Sequence, residues 1–260
     1  MKKIVTTALI FAAVVGIRTS TAVHADTTDA VDVCALTTSD FTALQAVQND
    51  PTLTPAQELS QELALRKQLL GKVIACAVKQ AQTLQTTLTA SKPATPNGIA
   101  VQNNLLSRID DAINFYDVES AKLNDAGISS SEAIAKEMIA WRAANYASLE
   151  GNVNNFDLWS ANQSLFQTAQ TRLTQTEKIV AFIENAAGGN ENLSAGLKAT
   201  QASFSDAQND NAAAASDLTQ LQAPDQSLAD IQQSLQALAD TYQKFGDLNK
   251  LIQALLPTNK

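Results

Sequence analysis

Histidine is almost missing from this chain. Its single copy, His24, falls in a stretch that reads as removable. A working protein without imidazole lacks the usual general base near neutral pH and the commonest metal ligand. Nucleophilic serine or cysteine chemistry leans on such a base, so the hydrolase triads are excluded first. Cysteine is nearly as scarce, with two copies in 260 residues. Without histidine, a transition-metal cluster could be built only from Cys34 and Cys76 with carboxylates. Glycine (9) and proline (6) are thinly spread, and no glycine-rich phosphate loop, nucleophile elbow or Ser-x-x-Lys pair occurs. Charged residues make up only 17% and aromatics 5%. Beyond the N-terminus no apolar run approaches the ~20 residues that span a bilayer. The most apolar later stretches, 179–183 and 251–256, are too short for a membrane hairpin. The basic polar face of an interfacial helix is absent as well.

The N-terminus is patterned instead. Lys2 and Lys3 precede an apolar stretch at 4–17, and Val23-His24-Ala25 places small residues at the −3 and −1 cleavage positions. Residues 1–25 therefore read as a secretory signal peptide cut after Ala25, with the product periplasmic or extracellular. Lys2, Lys3 and Arg18 leave with it, so the 235-residue remainder carries 15 basic and 26 acidic side chains, a net charge of −11. Such a chain repels phosphate backbones and anionic lipid, which argues against nucleic acid as a partner. In an oxidising compartment Cys34 and Cys76 are expected to pair, worth about 4 kcal/mol in the chain-entropy account. Two free thiols or an intermolecular bridge are the alternatives.

Apolar spacing argues for helix throughout, with no strand alternation. Residues 26–38 read as an extended leader and 39–260 as a single helical domain. Its helices are expected at about 39–48, 55–90, 97–126, 130–187, 191–222 and 225–256. Thr54-Pro55-Ala56-Gln57 has the form of a cap, a first-turn proline and a capping-box glutamine. Gly127 suits a C-terminal cap, and Gly188-Gly189 stops the longest segment. Within that segment Gly151, Asn152, Asn154 and Asn155 have the poorest helix propensity, marking a bend or break, although the apolar register continues across them. The last two segments alternate apolar residues four and three apart. Leu197, Phe204 and Leu218 lie on the first, and Leu235, Tyr242 and Phe245 on the second, joined by Pro224-Asp225. The expected fold is all-α: an elongated multi-helix bundle of long helices ending in an antiparallel coiled-coil hairpin with those six residues on its seam.

Two constellations carry chemistry. Trp141 and Trp159 are 18 residues apart, five turns of an unbroken helix, and so share a face; Phe156 and Phe166 lie close to it, interleaved with Asn145, Asn152, Gln163 and Gln170. Rings alternating with amides can form a glycan or peptide groove, though rings at helical spacing usually fill a core. Asp206, Gln208, Asp210 and Asp217 imitate calcium-loop positions, but Asn211 stands where the loop needs glycine and Ala212 to Ala215 favour helix. Glu62 with Arg66, and Glu132 with Lys136, read as solvated helix pairs. No catalytic residue, cofactor or metal is expected. The residues point first to an exported, non-enzymatic scaffold, spacer or protein-interaction module that meets a partner, or itself, through helical faces without a transmembrane anchor. The other reading is a soluble glycan- or peptide-binding protein using the Trp141–Trp159 stripe.

Overall fold

A computed structural model describes residues 38–255, and all regular structure among them is helical. The helices are α1 (Thr38–Gln48), α2 (Pro55–Ala90), α3 (Pro96–Asn124), α4 (Ile128–Trp141), α5 (Ala147–Ala187), α6 (Glu191–Thr219) and α7 (Pro224–Leu255). A π-helical turn, Arg142–Tyr146, joins α4 to α5 without a loop. The expected signal peptide at 1–25, the expected leader apart from Thr38, which opens α1, and Cys34 lie outside the described residues, as does the Cys34–Cys76 pairing. No helix among the described residues is long and apolar enough to cross a membrane.

Sequence chemistry explains most of the ends. Gln57 N–H donates to Thr54 Oγ1, while the Thr54 N–H donates back to Gln57 Oε1, closing the capping box of α2. At the end of α5, Gly188 and Gly189 both adopt positive φ, and both N–H groups return to Glu184 O. Two left-handed residues in succession suit glycine, which carries no Cβ penalty there. Asn190 then caps α6 by accepting from Leu193 N–H.

The helices form two compact units. The first holds residues 38–87 and Ser107–Ala147, and the second holds Leu88–Leu106 with residues 148–255. In the first, Leu69, Leu70, Val73, Ile74 and Ala77 of α2 meet Tyr116 and Leu123 of α3, Ile134, Ala135 and Met138 of α4, and Leu44 of α1. Each large apolar side chain buried here contributes roughly 1.5–3 kcal/mol. Glu62 and Arg66 do pair, at 2.7 Å, but not as a solvated contact: the side chains are only 14% and 7% exposed. Gln48 Nε2 donates to the same carboxylate, tying α1 to α2. Glu132–Lys136 is the exposed pair its sequence suggests. Lys67 Nζ donates to the Asn124 carbonyl, satisfying the C-terminal end of α3.

In the second unit α5, α6 and α7 run antiparallel in succession. Hydrogen bonds join Gln163 to Asn211, Glu177 to Gln201 and Glu184 to Ser194, so α6 retraces α5. Thr241 bonds Ser203 and Gln233 bonds Asp210, so α7 retraces α6. The core holds Phe166, Ala169 and Leu173 of α5, Phe204 and Ala207 of α6, and Leu238 and Phe245 of α7. Val180, Ile183, Leu193, Leu248 and Ile252 extend it.

Gly151 does not interrupt α5. A Cβ placed there would lie 2.2 Å from Pro224 Cγ, so the missing side chain is the socket for the α6–α7 turn. Asn152 Nδ2 holds the Gln222 carbonyl, and Asn155 Nδ2 holds the Pro224 carbonyl and Ser227 Oγ. The irregular winding occurs earlier, in the π-turn. The turn itself places Leu221 at φ 53, a left-handed conformation that its sequence does not advertise.

Candidate functional site

Of the expected stripe, Phe156, Trp159, Gln163 and Phe166 stay together on α5 in the second unit, whereas Trp141 belongs to the first. The 18-residue spacing of the tryptophans assumed unbroken α-helix, and the π-turn between them invalidates that count. Trp141 belongs to the first unit, stacked on Phe115 with centroids 4.3 Å apart and edge-on to Tyr116. There Arg142 lies over the Tyr146 ring at 4.4 Å. Burial raises the Tyr116 pKa, and the Arg142 guanidinium partly offsets the shift. This cluster packs against the core of the first unit, with Phe115 and Trp141 half-buried at its edge.

Phe156 and Trp159 are wholly buried in the second unit, each 0% exposed. The Trp159 indole N–H donates to the Asn211 carbonyl at 3.3 Å. Neither ring is available for stacking on a ligand. Gln163 and Phe166 behave differently, because both line a groove of about 810 Å³ contained within this unit.

The groove lies between the start of α3, one face of α5 and the middle of α6. Its floor is Gln163, Phe166, Asn211 and Thr95, all buried or half-buried. Exposed Pro96, Asn97, Gln167, Gln170, Thr171 and Gln208 make the rim. Thr95 caps α3 by accepting from Gly98 N–H at 3.0 Å, which fixes Pro96 and Asn97 beside α5. Gln163 is anchored on three sides. Its Nε2 donates to Trp159 O and to Asn211 Oδ1, each at 3.0 Å, and its Oε1 accepts from Asn211 Nδ2 at 3.3 Å. Gln208 Nε2 reaches Gln170 Oε1 at 3.4 Å. No lining residue is charged. The Gln163 donors are spent on Trp159 and Asn211, and the exposed amides of Gln167, Gln170 and Gln208 are left to meet uncharged polar groups of either polarity.

Sequence reasoning found Gln163 and Phe166, with Gln170 among the interleaved amides, but missed Gln167 and the neighbours outside α5. Gln163, Gln167 and Gln170 are spaced for one helix face, a signal present in the chain. Gln208 instead drew attention as a calcium-loop position. Residues 191–219 are continuous helix, so that loop is not formed. Asp210 accepts from Gln233 instead, and Asp217 sits beside Asp230. Among the described residues no group of three or more His, Cys, Asp or Glu side chains could hold a metal.

The seam residues also divide. Phe204, Leu218 and Phe245 are buried, whereas Leu197, Leu235 and Tyr242 are half-buried. The fully buried row of α7 beside Ile231, Leu238 and Phe245 is Ser227, Ser234, Thr241 and Leu248, one residue earlier than Leu235 and Tyr242 imply. Opposite stand Ser203 and Gly196, where a Cβ would lie 3.1 Å from Leu248. That close approach admits small side chains, while half-buried Leu197 and Tyr242 pack against the core from its edge. Arg172 covers the displaced Tyr242 ring at 5.3 Å.

No family model matches this chain, and neither a curated protein nor a solved structure does.

Proposed function

We propose that this chain is a non-enzymatic binding protein whose second unit takes an uncharged polar ligand in the groove beside α5. One observation carries the reading: a groove of about 810 Å³ walled by amides and hydroxyls, with no charged group and Phe166 in its floor. A charged ligand would lose its hydration there without gaining a counter-charge. The non-catalytic part rests on composition, since the sole histidine lies within the signal peptide. That segment supports an exported setting, and export supports a Cys34–Cys76 bridge. Intact mass after alkylation tests the bridge, and two alkylated thiols would refute it.

The groove is tested by titrating the chain with neutral oligosaccharides and neutral peptides while following the side-chain amide resonances of Gln167, Gln170 and Gln208. Saturable shifts confined to these groups are expected. Their absence with every neutral polar ligand refutes the reading.

A scaffold role has its own support. Phe182 is 74% exposed, and Ile179, Leu165 and Leu158 are exposed on the same helix, α5. Apolar side chains left in water along one helix favour contact with a protein partner or a second copy. Light scattering of the wild type and of Phe182→Ser tests self-association. A concentration-independent monomer in both removes that form of it.

A further inference from the structure

We infer that the groove binds the main chain of an extended, uncharged peptide segment. This rests on the groove reading above and narrows its ligand.

Glycan sites usually present an open ring face to the sugar. Here Phe156 and Trp159 are fully buried, and Phe166 is only 7% exposed at the floor. The stacking platform is missing while the hydrogen-bonding wall remains. A peptide unit offers one donor and one acceptor, which a single side-chain amide can satisfy together. Along α5, the exposed lining residues Gln167 and Thr171 are four residues apart, about 6 Å of helix rise. An extended chain repeats the same side every two residues, about 6.6 Å. The lining part of α5, from Gln163 to Thr171, spans about 12 Å, room for roughly four extended residues.

The amides are also held in place beforehand. Gln163 commits both amide hydrogens to Trp159 and Asn211 and so stiffens the floor beneath the ligand, and Gln170 is braced by Gln208. Gln167 has an exposed side chain at the rim and is positioned to meet the ligand first. Recognition through the main chain predicts indifference to side-chain identity, provided the residues are small and neutral.

The test uses the full chain and three probes: a capped six-residue peptide of Ala, Ser and Gly, the same peptide N-methylated at alternate residues, and a neutral oligosaccharide of similar length. Side-chain amide resonances of Gln167, Gln170 and Gln208 report occupancy. The plain peptide is expected to saturate these shifts, with N-methylation weakening binding at least about tenfold by removing the peptide donors. Gln167→Ala is expected to weaken the plain peptide by about tenfold at an unchanged melting temperature, because its side chain is exposed. If only the oligosaccharide binds, the peptide inference fails and the groove reading stands. If N-methylation changes nothing, main-chain recognition fails. If no probe binds, the groove reading fails with it.

Discussion

The two units solve the same packing problem with different side chains. The first closes on volume: Leu70, Tyr116, Ile134 and Met138 interlock, with Phe115 and Trp141 stacked at the edge. The second adds a seam between α6 and α7 built from Thr200, Ser203, Ser227, Ser234 and Thr241, all buried. Hydroxyls can be buried cheaply here because each bonds within its own helix or to the facing one. Ser234 donates to Ile231 O, Thr200 to Gly196 O, and Thr241 to Ala237 O and Ser203. Such a seam gains little from hydrophobic transfer and depends on fit instead. Removing bulk should therefore harm the first unit most, and adding bulk should harm the second.

Leu70→Ala should cost the most, about 2–5 kcal/mol in chemical denaturation, because Leu70 is fully enclosed and its cavity cannot collapse freely. A loss under ~1 kcal/mol would mean that volume does not govern the first core. Gly151→Ala should cost about 1–3 kcal/mol, although alanine favours helix, because the added carbon meets Pro224. A stabilised variant would show that the turn does not seat there.

The Asp217 prediction is one of sign. Burial raises its pKa from the ordinary 3.8, and the hydrogen bond and charge of neighbouring Asp230 act in the same direction. The folded chain therefore holds a proton that the unfolded chain releases. Stability falls as pH rises from 3.8 through the elevated value, and the deficit persists above it. Asp217→Asn should raise the melting temperature at pH 7 and flatten that acid-side slope, and a lower melting temperature would contradict it. Ser234→Ala should change stability least, within about 0.5 kcal/mol, since its hydroxyl serves only its own helix. A larger loss would mean that the hydroxyl holds the seam together.

The all-α class was legible because helical spacing, the Thr54–Gln57 box and the Gly188-Gly189 stop are local signals. Local signals misled where a distant partner decided the outcome. Gly151 and its asparagines look like a break until Pro224 is placed against them. Leu235 and Tyr242 look like seam residues until Gly196 and Ser203 bring the backbones close. The groove was half visible: Gln163 and Phe166 stand in one segment, but Thr95, Gln208 and Asn211 join them only through the antiparallel return of the chain. The left-handed Leu221 left no trace, since nothing in leucine's chemistry asks for that conformation.

Gly151 and Pro224 meet with no space for one more carbon. The constraint runs in one direction: a bulkier residue at the first is accommodated best by a slimmer one at the second. Among descendants of this sequence, a side chain at 151 is expected to appear together with a smaller residue at 224.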